Sequence, residues 1–328
     1  MSVPTDVQIL TQFGWAGPEA LMPGTMVASY DVQTDTASWA PITGVRWSEA
    51  PVTHLATRRG IDATVTDDHP WPAYFTVLGK TKRYDYRRLR PTRDVMSGDR
   101  LIGACPLPAG TAGLTTADAT ALGLAAGIAT MTPGGLLFAS RDYRLISEVV
   151  GQALDTARIH AGYRNAGDNK EVELPTGTVF VRPRIEALVP AEATTALFAR
   201  AGINRLSELP RIAPGLSLEA RRALLVGLKR VTATANGSVC HKTRPWLLEL
   251  FAALAALEGY VVTPVPGRHD TLRVKYSRFT YGDGLQRSPG PAQSVWSPQT
   301  ALGTWVARFP SGAVTITGGD MTEGGSDA

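Results

Sequence analysis

Residues 121–130 read A-L-G-L-A-A-G-I-A-T, and their small side chains recur along a predicted helix that begins near Thr115. Small residues on one face allow two helices to approach each other closely. The segment 218–233 offers a partner, because its Gly227-Leu228 pair matches Gly123-Leu124 of the first helix. The sequence therefore predicts two closely packed helices, and this helix pair organises the middle of the chain.

The surroundings of the two helices are also repeated. In the first copy a helix at 116–130 is followed by the strand L-L-F-A-S and a helix at 142–156. In the second copy a helix at 218–233 is followed by the strand G-S-V-C-H-K and a helix at 244–258. Two such units predict a domain with a pseudo-twofold axis. For either helix alone, ordinary helix packing is the simpler explanation.

Both flanks of this helical region are rich in strand patterns. Residues 24–105 contain short β-branched and aromatic runs separated by Gly, Pro and Asp, and similar runs return after Gly267. The order predicts a multi-domain protein in which a split all-β domain carries an inserted α+β domain. The predicted boundaries are 1–108 and 265–320 for the two parts of the β domain, 109–264 for the insert and 321–328 for a tail.

Composition excludes several classes of protein. The chain has 328 residues, 44% hydrophobic and 19% charged, which is not the composition of a disordered protein. A net charge of +4 is compatible with nucleic-acid binding but does not require it. Two cysteines do not make a disulfide framework, and no signal peptide or bilayer-spanning window is evident. We expect a cytoplasmic protein without membrane contact.

The β flanks carry several short motifs in a fixed order. A-L-M-P-G-T-M-V occupies 20–27, Thr66 and His69 form a Thr-x-x-His motif, and Gly98-Asp99 closes a turn. The closing segment at 295–319 ends in V-T-I-T-G-G. Together these motifs resemble an intein-type Hint domain, and the helical insert resembles a LAGLIDADG homing endonuclease. The resemblance spans nearly the whole chain. It implies an all-β Hint-like domain, split by an α+β LAGLIDADG-like pseudo-twofold domain.

The splicing chemistry that the resemblance implies lacks its reactive groups. Splicing needs a nucleophile at the first intein position, where this chain has Ala20. It also needs a terminal Asn that cyclises, where this chain has Gly319 followed by Asp320. The flanks are short, so we expect no host protein and no splicing. Thr66 and His69 then have no reaction to assist, and a satisfied histidine in a β-turn is the favoured interpretation.

The nuclease chemistry is incomplete in a parallel way. In the family that the insert resembles, each paired helix ends in an Asp or Glu, and the two carboxylates hold a divalent metal. The matching positions here are Ile128 and Thr232, neither of which supplies a carboxylate. Asp118 lies about 15 Å earlier along its helix and suits the helix dipole instead. We expect no cofactor, with Mg²⁺ required only if nuclease activity persists.

Although both catalytic chemistries are incomplete, the resemblance still implies a DNA-binding surface. Arg and Lys side chains reach phosphates, and Arg also reads guanine. The strongest basic segment, residues 79–94, interleaves its cations with Tyr84 and Tyr86; a solvated basic loop is the alternative explanation. The predicted DNA-binding residues are Lys80, Lys82, Arg83, Arg87, Arg88, Arg90, Arg93, Arg164, Arg182, Arg184, Lys242 and Arg244. Another basic set near the return to the β domain comprises Arg268, Arg273, Lys275 and Arg278.

Three functions stay open at this point. The first is a monomeric double-stranded DNA-binding protein, derived from an intein endonuclease of a phage or other mobile element and inert in splicing and cleavage. The second is an active LAGLIDADG-type endonuclease with acids elsewhere. The third is a structural or protein-interaction role without DNA. The absent carboxylates oppose the second function, and the basic segment at 79–94 opposes the third.

Overall fold

β-Strands make up most of the structure, with a few helices between them. The computed structural model describes residues 2–58, 60–78, 83–167, 170–174, 177–181, 183–233, 238–240 and 244–319. Its strands in chain order are β1 (Val3–Pro4), β2 (Gln8–Thr11), β3 (Gly14–Ala16), β4 (Met26–Asp31), β5 (Thr36–Ala56), β6 (Asp62–Val65), β7 (Pro70–Leu78), β8 (Arg83–Pro91), β9 (Arg100–Ile102), β10 (Ala129–Thr132), β11 (Gly135–Ser140), β12 (Gly162–Ala166), β13 (Lys170–Leu174), β14 (Gly177–Val181), β15 (Arg184–Pro190), β16 (Ser238–Cys240), β17 (Val261–Val265), β18 (Arg268–Lys275), β19 (Phe279–Tyr281), β20 (Gln286–Thr300), β21 (Thr304–Arg308) and β22 (Val314–Gly318).

The helices described are fewer than the strands. They are α1 (Thr116–Ile128), α2 (Gly151–Thr156), α3 (Ala191–Ala201), α4 (Leu209–Ile212), α5 (Leu218–Thr232) and α6 (Pro245–Leu257). A π-helical segment, Leu145–Val150, leads directly into α2. No helix within the described ranges combines the length and apolar character needed to cross a membrane.

The chain divides into two compact units. Unit 1 takes its described residues from 1–110, 210–215 and 234–328, and unit 2 takes them from 111–209 and 216–233. The segment 109–264, predicted as one inserted domain, is therefore shared between the units. Its last part belongs to unit 1 because β16 and β17 both pair with β18, and α6 packs against all three strands.

Unit 1 is built on a large sheet, in which strands of different lengths have the order β1-β20-β5-β4-β2-β21-β22-β17-β18-β16. The long strands β5 and β20 pair antiparallel along most of their length, and β2 pairs with β21. The beginning and end of the chain thus form one sheet. A second sheet has the order β19-β9-β7-β8. Trp71, Trp296, Trp305 and Phe309 are buried in the core of unit 1.

Unit 2 packs helices against a sheet with the order β10-β11-β15-β12, and β13 forms a separate hairpin with β14. Hydroxyl caps begin its two long helices: Thr115 accepts a hydrogen bond from the Asp118 amide, and Ser217 accepts one from the Ala220 amide. Apolar side chains of the sheet and of α1, including Leu122 and Phe138, are fully buried and form the core.

Two segments of the chain share one connection order. In the first, α1 and β11 precede a helical segment and the strands β12 and β15, and β15 lies between β11 and β12. In the second, α5 and β16 precede α6 and the strands β17 and β18, and β18 lies between β16 and β17. All four pairings are antiparallel. The two segments also differ, because the first lies within unit 2 and contains β10, β13 and β14 in addition, whereas α5 of the second lies in unit 2 and its other elements lie in unit 1.

Candidate functional site

The paired helices α1 and α5 pack closely against each other at two glycine residues, Gly123 and Gly227. A Cβ atom added at Gly123 would lie 2.3 Å from the Leu224 carbonyl oxygen, and one added at Gly227 would lie 2.4 Å from the Thr120 carbonyl oxygen. These separations are far below normal van der Waals contact, so only glycine permits this approach. The closely packed helix pair predicted from the sequence is confirmed.

Both positions matched to metal-binding acids are the last residues of these helices. Ile128 ends α1 and Thr232 ends α5. A Cβ added at Gly127 would lie 3.0 Å from Thr232 Cγ2, which shows that the ends converge as the middles do. The Thr232 hydroxyl donates to the Leu228 carbonyl (2.7 Å) within its own helix. Among the described residues, no group of three or more His, Cys, Asp or Glu side chains is arranged to hold a metal ion.

Asp118 has a structural partner in unit 2. Its buried carboxylate accepts hydrogen bonds from Nε (3.0 Å) and Nη2 (2.7 Å) of Arg200. The Thr115 hydroxyl donates to the same carboxylate at 3.0 Å. The hydrogen bond to Asp118 raises the pKa of the Arg200 guanidinium. Asp118 therefore fixes the start of α1 and ties it to α3.

Thr66 and His69 bracket a β-turn, in which the His69 amide donates to the Thr66 carbonyl (3.0 Å). The His69 ring is fully buried, packs edge-on against Trp71 and Trp305, and shares a hydrogen bond between Nε2 and the Thr317 hydroxyl. Burial lowers the pKa of His69 to about 3, so the ring is neutral at physiological pH. Its Nδ1 is buried and has no hydrogen-bond partner among the described residues.

The backbone of Ser2 is hydrogen-bonded to this turn. Its amide donates to the Thr66 hydroxyl (2.9 Å), and its carbonyl accepts from the Thr66 amide (3.1 Å). An open pocket of about 630 Å³ lies beside them. The charged residues that line this pocket are Arg46, Asp67, Asp68 and Arg93. Sequence reasoning missed Ser2, because its position depends on pairing between β1 and the distant strand β20.

The two positions matched to the splicing groups differ in their surroundings. Ala20 is exposed at the end of a short 3-10 helix, Pro18–Ala20. Gly319 is buried, and a Cβ added there would lie 2.8 Å from Ser297 Oγ and 2.9 Å from Trp305 Nε1. The space that a side chain at 319 would need is therefore already filled.

The basic segment 79–94 is folded partly into the β7–β8 hairpin, where several cations have protein partners. Arg87 donates to the carbonyls of Val32 (3.1 Å) and Gln33 (3.2 Å) and pairs with Asp35. Arg90 donates to the Asp94 carbonyl at 2.6 Å and pairs with Asp99, both side chains being largely buried.

Several of the other predicted DNA-binding cations are exposed or partly buried, and the rest lie outside the described part of the chain. Arg88 is exposed, with its guanidinium 4.7 Å from the centre of the Phe75 ring, and Arg93 is exposed beside the pocket near Ser2. Arg244 precedes α6, where partial burial lowers its pKa. Lys80, Lys82, Arg182 and Lys242 lie outside the described residues, as does the side chain of Arg83.

In unit 2, two predicted DNA-binding arginines lie on one face of the sheet around a carboxylate. The Glu186 side chain is buried, and its oxygens lie 2.8 Å from Arg164 Nη2 and 3.5 Å from Arg184 Nε. The arginine side chains remain 71% and 51% exposed, respectively. Glu186 therefore orients two cations on a surface that keeps a net positive charge.

In unit 1, β17 and β18 border a second basic surface. A pocket of about 380 Å³ is lined by four cationic residues, Arg58, Arg268, Arg273 and Lys275. Three of these belong to the basic set near the return to the β domain, and Arg58 joins them from a different segment. Asp62 is the acidic residue of the lining, and its carboxylate already contacts His54 Nε2 at 2.9 Å. The lining therefore contains four cationic residues and one acidic residue.

Comparisons with known proteins are sparse. No protein-family model matches the chain, and no curated protein matches it. Among solved structures, the chain is similar to a splice-inactive, GSH-linked variant of the AceL NrdHF class 3 split intein. The TM-score is 0.36 and the sequence identity 8%, with 98% of this chain and 99% of that chain covered.

Proposed function

We propose that the protein binds double-stranded DNA without cutting it, and that it descends from an intein carrying a LAGLIDADG-type endonuclease. The observation that carries the proposal is the α1–α5 seam, where glycines face backbone and the helices end at Ile128 and Thr232. The repeated connection order around these helices supports the internal duplication. An endonuclease scaffold without its carboxylate pair keeps a surface for DNA but has no metal ligands at its axis.

Loss of splicing is supported by the two ends of the Hint-like segment. Ala20 offers no nucleophile, and the surroundings of Gly319 leave no room for an Asn side chain. The neutral, buried His69 packs edge-on against two tryptophans, as a core residue does. We therefore propose that the β framework serves as a scaffold.

Two basic surfaces support the DNA contact. Arg164 and Arg184 project from the unit 2 sheet, and Arg268 borders the basic pocket of unit 1. Phosphate contacts give affinity that falls with salt, and each lost contact reduces the slope of log K against log salt by about 1. Arg87 and Arg90 are already bound to protein groups, so we assign the duplex contact to Arg164, Arg184 and Arg268.

The test measures binding of a labelled random duplex as a function of salt. Arg164→Gln and Arg184→Gln should each weaken binding and lower the salt slope, while the amide can still donate to Glu186. Arg205→Gln is the matched control, because Arg205 is 74% exposed and also pairs with a glutamate, on a different element of unit 2. If the slope of log K against log salt were the same for all three variants, the unit 2 sheet would not contact the DNA.

The remaining properties follow from the same proposal. The internal duplication supplies both halves of a twofold arrangement, so we propose that the protein acts as a monomer in the cytoplasm. The proposed binding needs no cofactor. A structural role without DNA is the competing function, and it predicts no duplex binding even at low salt.

A further inference from the structure

One face of the β7–β8 hairpin is buried in the unit 1 core at one end of the hairpin and exposed to solvent at the other end. Residues paired across the hairpin share a face, and this face contains Trp71, Ala73, Phe75 and Val77 from β7. Trp71 and Ala73 are buried in the core, whereas Val77 at the far end is 48% exposed. The same alternation on β8 places Tyr84, Tyr86, Arg88 and Arg90 on this face.

The outer part of this face is an aromatic surface with a cation on it. Tyr84 is 58% exposed and Tyr86 is 40% exposed. The rings of Phe75 and Tyr86 are stacked, with centroids 5.2 Å apart and planes 18° apart. The Arg88 guanidinium lies 4.7 Å from the centre of the Phe75 ring, within cation–π range. We call the surface of Phe75, Tyr84, Tyr86 and Arg88 the aromatic platform.

Contacts of Arg87, on the opposite face, and of Arg90, near the end of β8, hold the hairpin in place. Arg87 is bound to the carbonyls of Val32 and Gln33 and to Asp35, and Arg90 is bound to Asp94 and Asp99. Because these contacts fix the strand, its exposed rings are presented on a preorganised surface. A ligand that stacks on them therefore orders few side chains on binding.

We propose that the aromatic platform binds single-stranded nucleic acid by stacking bases on Tyr84 and Tyr86, with Arg88 close to the phosphates. Side chains two residues apart on a strand lie about 7 Å apart, so each tyrosine can receive its own base. Aromatic rings joined to cations are the combination that single-strand binders use. This site is distinct from the basic surfaces assigned to duplex DNA.

A nucleic-acid strand fits this surface better than a protein partner does. An apolar partner would leave Arg88 facing it without a counter-charge, whereas a phosphate supplies that charge and a base continues the stack begun by Phe75 and Tyr86. Base stacking also tolerates any sequence, because every base has an aromatic face.

The test measures fluorescence anisotropy of labelled oligo(dT), oligo(U) and a duplex of the same length. The two single strands should bind the full chain more tightly than the duplex at moderate salt. Comparable affinity for oligo(dT) and oligo(U) is expected, since stacking does not read the 2′-hydroxyl. Tyr86→Ala and Tyr84→Ala should each weaken single-strand binding roughly 5- to 150-fold, the range measured for loss of one stacked base. Tyr86→Phe should retain the affinity.

Phe13→Ala is the matched control, because Phe13 is an exposed aromatic residue outside the platform. Its single-strand affinity should equal that of the unchanged protein. Single-strand binding that survives both tyrosine substitutions would overturn the proposal, as would no binding of either single strand. Loss of affinity in Tyr86→Phe as large as in Tyr86→Ala would also contradict stacking. Duplex binding through Arg164 is unchanged in these variants, so the two proposals fail separately.

Discussion

Gly123→Ala is expected to destabilise unit 2, although alanine is the better helix former. The substitution favours the isolated helix by about 1 kcal/mol. Against this, the new Cβ would lie 2.3 Å from the Leu224 carbonyl oxygen, which belongs to backbone and cannot rotate away. Relieving the contact requires α1 and α5 to separate by about 1 Å, which loosens the whole seam.

The expected net change follows from these opposing effects. Overpacking of a well-packed core costs about 1–3 kcal/mol, and a backbone collision falls at the upper end of that range. Subtracting the helix-propensity gain leaves a loss of about 2 kcal/mol in the free energy of unfolding of unit 2. With a urea dependence of about 2 kcal/mol per molar, the midpoint should fall by about 1 M.

The assay can separate the units because all seven tryptophans lie in unit 1. Tryptophan fluorescence therefore reports unit 1, and far-ultraviolet circular dichroism adds the helices of unit 2. Gly151→Ala is the matched control, since the atom nearest the new Cβ would be the end of the Tyr163 side chain at 3.0 Å, and the backbone nearest to it, the Ile146 carbonyl, lies at an ordinary contact distance of 3.6 Å. A Gly123→Ala midpoint equal to or above that of Gly151→Ala would refute the close backbone contact.

Three further outcomes are expected. His69 has a pKa of about 3 when folded and 6.5 ordinarily, so its neutral burial supports unit 1 above pH 6.5. This support is lost as pH falls toward 3, by up to about 1.4 kcal/mol per pH unit; His69→Gln should flatten the acid limb of fluorescence-detected unfolding, and an unchanged limb would contradict the burial argument. Arg200→Ala should cost unit 2 about 2 kcal/mol in urea unfolding, because it leaves the Asp118 carboxylate buried without its cation; a change below the error of the measurement would oppose that. Gly319→Asn should lower the stability of unit 1 by about 1–3 kcal/mol through collision with Trp305 and leave the chain intact by mass spectrometry; cleaved chain would contradict the loss of splicing.

Local patterns made part of this molecule predictable. Glycine spacing predicted the seam, and the family resemblance matched Ile128 and Thr232 to the ends of the paired helices, where they prove to be the last residues. Both features depend on residues close together in sequence. The Thr66–His69 turn is equally local.

The features that the sequence did not predict depend on contacts between residues far apart in the chain. The assignment of β16, β17 and α6 to unit 1 depends on strand pairing within that unit. Local periodicity does not predict which strands pair. The partners of Arg87 are backbone carbonyls more than fifty residues earlier, so the sequence showed a basic segment but not which cations were engaged. Arg58 joined the basic pocket of unit 1 for the same reason.

The most direct test of the central proposal is selection from a random duplex library in the presence of Mg²⁺. Protein-bound DNA is recovered at low salt and separated on a denaturing gel. The proposal predicts bound duplex of full length, with affinity that falls as salt rises. Cleaved strands would contradict the loss of nuclease chemistry at Ile128 and Thr232, and the absence of any bound duplex would contradict the DNA-binding function itself.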